Sequence, residues 1–195
     1  MALTTVDPTP ALVVIDLQKG IAAAHPDEPT TAAVAQAARL AAAFRRHALP
    51  VVLVNVTGRA PGRTDAGRAG QAGRPGNGRA ALPSDWAELV DELDVQPTDH
   101  LITKRRRSAF HDTGLDTLLR DLGASQIVLA GISTSSGVES TARSASDHGY
   151  HVVLATDAMS DPDTEAHRHS IARVFPKLGE TATTAEVLDM LGATR

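Results

Sequence analysis

Four short apolar runs with no polar alternation constrain the folding of this 195-residue chain more than any other feature. They are residues 11–15 (ALVVI), 51–56 (VVLVNV), 126–130 (QIVLA) and 151–155 (HVVLA). A strand with one wet face alternates apolar and polar side chains, whereas a run apolar at nearly every position fits a parallel sheet covered on both faces. A weaker run at 100–103 ends directly at Lys104. Helical periodicity fills the intervals. Residues 31–47 carry Val34, Ala38, Leu40, Ala41 and Phe44 at helical spacing, and residues 113–122 carry Leu115, Leu118, Leu119 and Leu122. Further helices are expected over 85–93, 136–148 and 163–175. Strand and helix in alternation predict βαβ units with right-handed crossovers, so the expected fold class is a doubly wound α/β sheet. Its length suits one domain, 1–195, with a real core.

Bulk composition narrows the partners. A net charge of −4 and 3% aromatic residues give no reason to expect nucleic acid or an anionic membrane. The absence of cysteine excludes a disulfide framework and any thiolate metal site. MALTTVD at the N-terminus lacks a basic region followed by an apolar one, and no run approaches the ~18 apolar residues of a membrane helix. A cytoplasmic protein is expected. One stretch breaks the strand–helix alternation. Residues 58–83 are dense in Gly, Pro and Arg, and a loop this long is usually functional or disordered. It reads either as a surface insertion or as a lid, whose Arg59, Arg63, Arg68, Arg74 and Arg79 would suit an anionic substrate.

Open α/β sheets bind ligands beyond the carboxyl ends of their strands. Three such ends stand out here: Asp16, Lys104, and the turn Gly131-Ile132-Ser133-Thr134-Ser135-Ser136-Gly137-Val138. A carboxylate at the tip of an apolar strand has its pKa raised by desolvation and lowered by a neighbouring ammonium, which can tune it for acid–base work. A structural ion pair or a helix cap explains the same residues. The turn opens a helix, whose N–H groups suit an anion or oxyanion. A capping box between Ser136 and Glu139 is its plainer reading. The spacings of His148, His151, His167 and His169 match no metal motif, so no metal is expected. The Lys104-Arg105-Arg106-Arg107 run is too short for a nucleic-acid patch and reads as a substrate-facing or solvated turn.

Taken together, ALVVIDLQKG, TKRRRSAFHDTGLDTLLRDLG and QIVLAGISTSSGVESTARSASDHGYHVVLATDAMSD resemble the isochorismatase-like hydrolase superfamily over nearly the whole chain, and VFPKLGETATTAEVL resembles its last strand and helix. The resemblance implies a six-stranded, mostly parallel, Rossmann-like sheet with helices on both faces, in a homodimer or larger homo-oligomer acting on a small molecule without a cofactor. It implies that Asp16 is the catalytic carboxylate and Lys104 its basic partner. Gln18, Ser108, Phe110, Ile132, Ser133, Thr134, Ser135 and Ser136 become candidate substrate contacts. The Ile132–Ser133 bond falls where members often carry a cis peptide. Gly137 stands where nicotinamidases, N-carbamoylsarcosine amidases and ureidoacrylate hydrolases carry their nucleophilic cysteine.

Thiol catalysis is thus excluded, and the resemblance points to the siderophore and phenazine isochorismatases, which cleave a vinyl ether by protonation. Glycine at 137 would leave room for substrate or water. One departure is that Arg59-Ala60-Pro61-Gly62 stands where those enzymes are expected to carry a Gln. The expected function is therefore hydrolysis of a small anionic molecule by Asp16 acid–base catalysis, with isochorismate as the concrete example. The alternatives are an amidase using Ser135 or Ser136, and a binding or assembly protein that has lost its chemistry.

Overall fold

The structure, a computed structural model, describes residues 3–57 and 82–194. Six strands, β1 (Pro10–Ile15), β2 (Val51–Val56), β3 (His100–Lys104), β4 (Gln126–Ile132), β5 (His151–Ser160) and β6 (Glu180–Ala182), form one sheet in the order β3-β2-β1-β4-β5-β6. Every pairing is parallel. The chain winds outward from β1 to β3, then crosses to β4 and winds outward the other way. The reversal opens a crevice at the carboxyl ends of β1 and β4, the usual ligand site of such sheets.

Helices cover both faces, as the unalternated apolar runs require. They are α1 (Lys19–Ala22), α2 (Glu28–Arg46), α3 (Leu115–Asp121), α4 (Glu139–Asp147), α5 (Thr164–His169) and α6 (Thr184–Thr194). Leu12 and Val14 of β1 pack with Leu40 and Phe44 of α2 and with Val187 and Leu191 of α6. Ala11, Val13 and Ile15 point the other way, toward Leu115 and Leu119 of α3 and Ala142 and Ala145 of α4. Helix α2 starts three residues earlier than its apolar stripe predicts. Asp27 caps it by accepting from the Thr30 N–H at 3.0 Å, and Pro29 sits in the first turn, where its missing N–H costs nothing.

Three expected helices are altered. Over 85–93 only a 3₁₀ turn, Asp91–Leu93, forms. The backbone just before it is committed elsewhere: the Gly20 N–H donates to the Trp86 carbonyl, Lys19 N–H to Glu88 carbonyl and Val90 N–H to Leu17 carbonyl, while Gln18 and Leu89 form an antiparallel bridge. The helix expected at 136 begins instead with a π-helical turn, Thr134–Val138, ahead of α4. The helix expected over 163–175 breaks after α5 into a π-helical turn, Ser170–Val174, and a 3₁₀ turn holding Pro176. Of the stretch 58–83, read as a surface insertion or a lid, residues 58–81 and their arginines lie outside the described residues. Among the described residues no helix is long and apolar enough to cross a membrane.

Candidate active site

The close approach of β1 and β4 depends on Gly131. Its φ is +124°, and a Cβ there would sit 2.0 Å from the Ile15 carbonyl oxygen, so a side chain would force the two strand ends apart. Ile15 and Gly131 are register partners, so the next residue of each strand borders the crevice. On the β1 side that residue is Asp16, in the left-handed region at φ 54°. On the β4 side the Ile132–Ser133 peptide is cis.

Asp16 and Lys104, 88 residues apart, meet there. The Lys104 Nζ donates to Asp16 Oδ2 at 2.6 Å and to the Arg106 carbonyl at 3.1 Å. The two side chains are 2% and 7% exposed, which places the pair out of bulk water. Asp16 Oδ1 is buried and accepts no hydrogen bond among the described residues. Burial pushes the Asp16 carboxyl up to about 6, against the opposing pull of the Lys104 charge and its hydrogen bond. The group is therefore an acid that exchanges its proton near neutrality.

Both residues line a cleft of about 250 Å³ together with Ile132, Ser133, Ser136 and Gly137, and Arg105, Arg106 and Arg107 complete its basic wall. That volume is below the ~300–1,000 Å³ of drug-sized pockets and suits a small metabolite. Gly137 is buried against the acid. A Cβ at 137 would lie 3.1 Å from Asp16 Oδ2 and 3.0 Å from Ile15 Cγ2, so the space beside the carboxylate is tighter than the expected room for substrate or water.

The remaining candidates divide. The hydroxyls of Ser133 and Ser136 make no side-chain hydrogen bond among the described residues. Ser135 is drawn away: its N–H and its hydroxyl both donate to Asp161 Oδ2, at 2.8 and 2.7 Å. Thr134 is fully buried, donates to the Ser160 carbonyl at 3.1 Å and meets His167 Nδ1 at 2.8 Å. Since the one Thr134 proton goes to Ser160, His167 Nδ1 carries the donor hydrogen in that contact. The expected cradle of free N–H groups is partly spent inside the turn, where Ser136 and Val138 both donate to the Ser133 carbonyl. No capping box forms, because Glu139 takes Arg143 and the Ser170 hydroxyl instead.

Gln18, Ser108 and Phe110 lie outside the cleft lining. The Gln18 amide accepts from the Val56 N–H and donates to the carbonyls of Val56 and Trp86, bracing the end of β2 against the 86–90 segment. The Ser108 hydroxyl donates to Ser144, and Phe110 stacks on His148 with centroids 5.0 Å apart. Asp161 and His167, which hold the turn from behind, carried no spacing signal that linked them to it. Among the described residues no three His, Asp or Glu side chains gather in a set that could hold a metal ion.

Similarity to known proteins agrees with this geometry. Residues 10–186 match the Isochorismatase domain model. A solved structure of an isochorismatase family protein from Burkholderia thailandensis is 40% identical, with a TM-score of 0.84 over 96% of this chain and 98% of that one. The isochorismatase family protein YwoC of Bacillus subtilis is 40% identical over 93% of both chains. The phenazine biosynthesis protein PhzD1 of Pseudomonas aeruginosa is 31% identical over 91% of this chain and 84% of its own. Ureidoacrylate and maleamate amidohydrolases also match. The chain belongs to the isochorismatase family of hydrolases.

Proposed function

We propose that this hydrolase uses Asp16 as a general acid–base on a small anionic substrate, with no covalent intermediate, and that its reaction is hydrolysis of a vinyl ether of the isochorismate type. The observation that carries the reading is the Asp16 carboxyl itself: one oxygen held by Lys104, the other buried without a partner among the described residues, lifted to a pKa of about 6 beside the bare Cα of Gly137. A carboxylic acid with that affinity for its proton can deliver it to the terminal methylene carbon of an enol ether. The adjoining carbon becomes an oxocarbenium centre, water adds to it, and the resulting hemiketal collapses to a ketone and an alcohol. Asp16, now a carboxylate stabilised by Lys104, recovers a proton from that water. The chain has no thiol, and this route needs none. We read the enzyme as cytoplasmic and, as its resemblance implies, as a homo-oligomer.

The test is Asp16→Asn, assayed by pyruvate release from isochorismate. Turnover should fall about 10²- to 10⁴-fold while the circular dichroism spectrum is unchanged. Wild-type rates in the folded variant would discard the mechanism.

A second reading has one observation in its favour. Ser136 keeps an unbonded hydroxyl in the cleft lining, and amidohydrolases are among the relatives. Among the described residues its only carboxylate neighbour in the lining is Asp16, which is already engaged by Lys104, so the hydroxyl finds no free base there. A Ser136 acyl adduct found by mass spectrometry during amide turnover would favour it over the vinyl-ether route.

A further inference from the structure

The turn 133–137 divides its side chains between two tasks. Ser133, Ser136 and Gly137 line the cleft. Thr134 and Ser135 instead carry the side-chain hydrogen bonds of the segment, to the end of β5, to Asp161 just beyond it and to α5. It is a π-helical turn in which Ser136 and Val138 both donate to the Ser133 carbonyl, and such turns are uncommon and recur at functional sites. Where the cleft wall stands therefore depends on what holds Thr134 from behind.

Thr134 is fully buried, and its hydroxyl joins three elements. It donates to the Ser160 carbonyl of β5 at 3.1 Å and receives the Nδ1 hydrogen of His167, on α5, at 2.8 Å. Ser160 in turn meets the Thr30 hydroxyl of α2 at 3.0 Å. The His167 ring is half-buried, and burial holds its pKa below the ordinary 6.5 against the opposing pull of the Asp161 charge. Which ring nitrogen carries the single proton of the neutral form is set by such contacts. A position that only filled volume would be served better by an apolar side chain, because a buried hydroxyl must be hydrogen-bonded. This hydroxyl fixes direction as well, through one donated and one accepted bond. The lever is short: Gly137 follows three residues on, and a Cβ there would lie 3.1 Å from Asp16 Oδ2. A displacement of the turn by a few tenths of an ångström would change what abuts the acid.

We propose that His167 is a positioning residue for the reaction: its Nδ1 hydrogen, given to Thr134, sets the 133–137 wall against Asp16. His167 is not part of the cleft lining and acts through Thr134, 33 residues away. This rests on the reading of Asp16 as the reacting acid and adds to it a residue from another helix.

Three variants separate positioning from packing. His167→Asn keeps an N–H close to the place of Nδ1, His167→Leu keeps bulk and loses the donor, and Thr134→Val removes the hydroxyl that receives it. In His167→Leu, kcat on isochorismate should fall about tenfold with KM within about twofold. His167→Asn should restore most of the rate. Added to Thr134→Val, His167→Leu should cost little more, because the two share one contact. His169→Leu, exposed on the same helix, should leave kcat unchanged. The turn can also be followed without turnover. Amide NMR shifts of Ser136 and Gly137 should move in His167→Leu and return in His167→Asn, and ring nitrogen shifts should place the His167 proton on Nδ1. A proton on Nε2 overturns the proposal, as do equal losses of kcat in the Asn and Leu variants, additive losses in the double variant, or a lower melting temperature with kcat intact. Amide shifts that follow the donor in a wild type that cleaves no enol ether would sink the vinyl-ether reading and leave His167 as the residue that sets the turn.

Discussion

Each end of β3 adjoins a buried carboxylate paired with a cation, and the two pairs differ in how completely they are satisfied. At the amino end Asp99, with a side chain 1% exposed, accepts Arg45 Nε at 3.0 Å, Arg45 Nη2 at 2.7 Å and the Gln96 N–H at 2.8 Å. Both its oxygens are used, by a forked guanidinium that also reaches the Leu93 carbonyl. At the carboxyl end Lys104 offers Asp16 one point contact, and Asp16 Oδ1 has no partner among the described residues. The first arrangement holds the chain together. The second leaves a buried charge partly unanswered, which costs stability and keeps a proton available.

The largest effect expected follows from exchanging these roles by mutation. Asp16→Asn should lower turnover about 10²- to 10⁴-fold and spare the fold, whereas Asp99→Asn should keep turnover at low temperature and cost about 3–5 kcal/mol in urea unfolding, because it strands a mostly buried guanidinium. The pH dependence of stability should separate them too. Asp16 has a folded pKa of about 6 against an ordinary value of 3.8, so the folded state binds more protons than the unfolded one between those limits. Its contribution is most favourable below about pH 4 and is lost as pH rises through about 6. Two pKa units correspond to ~3 kcal/mol. That slope should vanish in Asp16→Asn and persist in Asp99→Asn. Its survival in Asp16→Asn would mean that another group is responsible.

Next in size is Lys104→Met. Burial raises the Asp16 pKa while the ammonium pulls it down through its charge and its hydrogen bond, so removing the ammonium frees the effect of burial. If protonated Asp16 is the catalytic acid, kcat/KM falls above its pKa. That descending limb should move up by roughly 1–3 pH units in Lys104→Met, with a lower maximum rate. A limb that stays in place would detach the pH profile from Asp16.

How much of this could be read from residues alone follows from the range over which each signal acts. The unalternated runs at β1, β2, β4 and β5 specify strands directly, because burial on both faces acts on every residue of the run. Asp16 and Lys104 were legible as strand-end residues, since the doubly wound topology brings such ends together. Residues 85–93 misled because their apolar spacing is helical, while their backbone groups are claimed by residues 17–20, a partner no local pattern reveals. Ser108, Phe110 and Gln18 stand close in sequence to Asp16 and Lys104, yet the turns after β1 and β3 carry them to other neighbours. Asp161 and His167 lie about 30 residues from the turn they hold, and only the folded chain connects them.

Gly137→Ala tests the packing beside the acid. The added Cβ would press on Asp16 Oδ2 and on Ile15 Cγ2, so one of them must yield by a few tenths of an ångström. Displacing the carboxyl by that much should cost roughly tenfold in kcat/KM with only a small change in melting temperature. An unaltered kcat/KM would show that the space next to position 137 is not shared with the reacting group.

Ser135→Ala should have the smallest effect, and its size bears on both readings of the site. The hydroxyl donates to Asp161 Oδ2, but the Ser135 N–H donates to the same oxygen and survives the substitution. Asp161 also accepts from the Asp163 N–H through its other oxygen, so its carboxylate stays anchored. Position 135 is exposed, and water can replace the lost donor. The rate should therefore change by less than about twofold and stability by about 0.5 kcal/mol. Asp161→Ala removes both contacts to the turn and should cost more in kcat than in KM, since it loosens the turn that carries Gly137 and leaves the arginine wall intact. If Ser135→Ala alone stopped turnover, that serine would be chemical, and the contrast between a satisfied and an unsatisfied carboxylate would no longer explain where catalysis occurs.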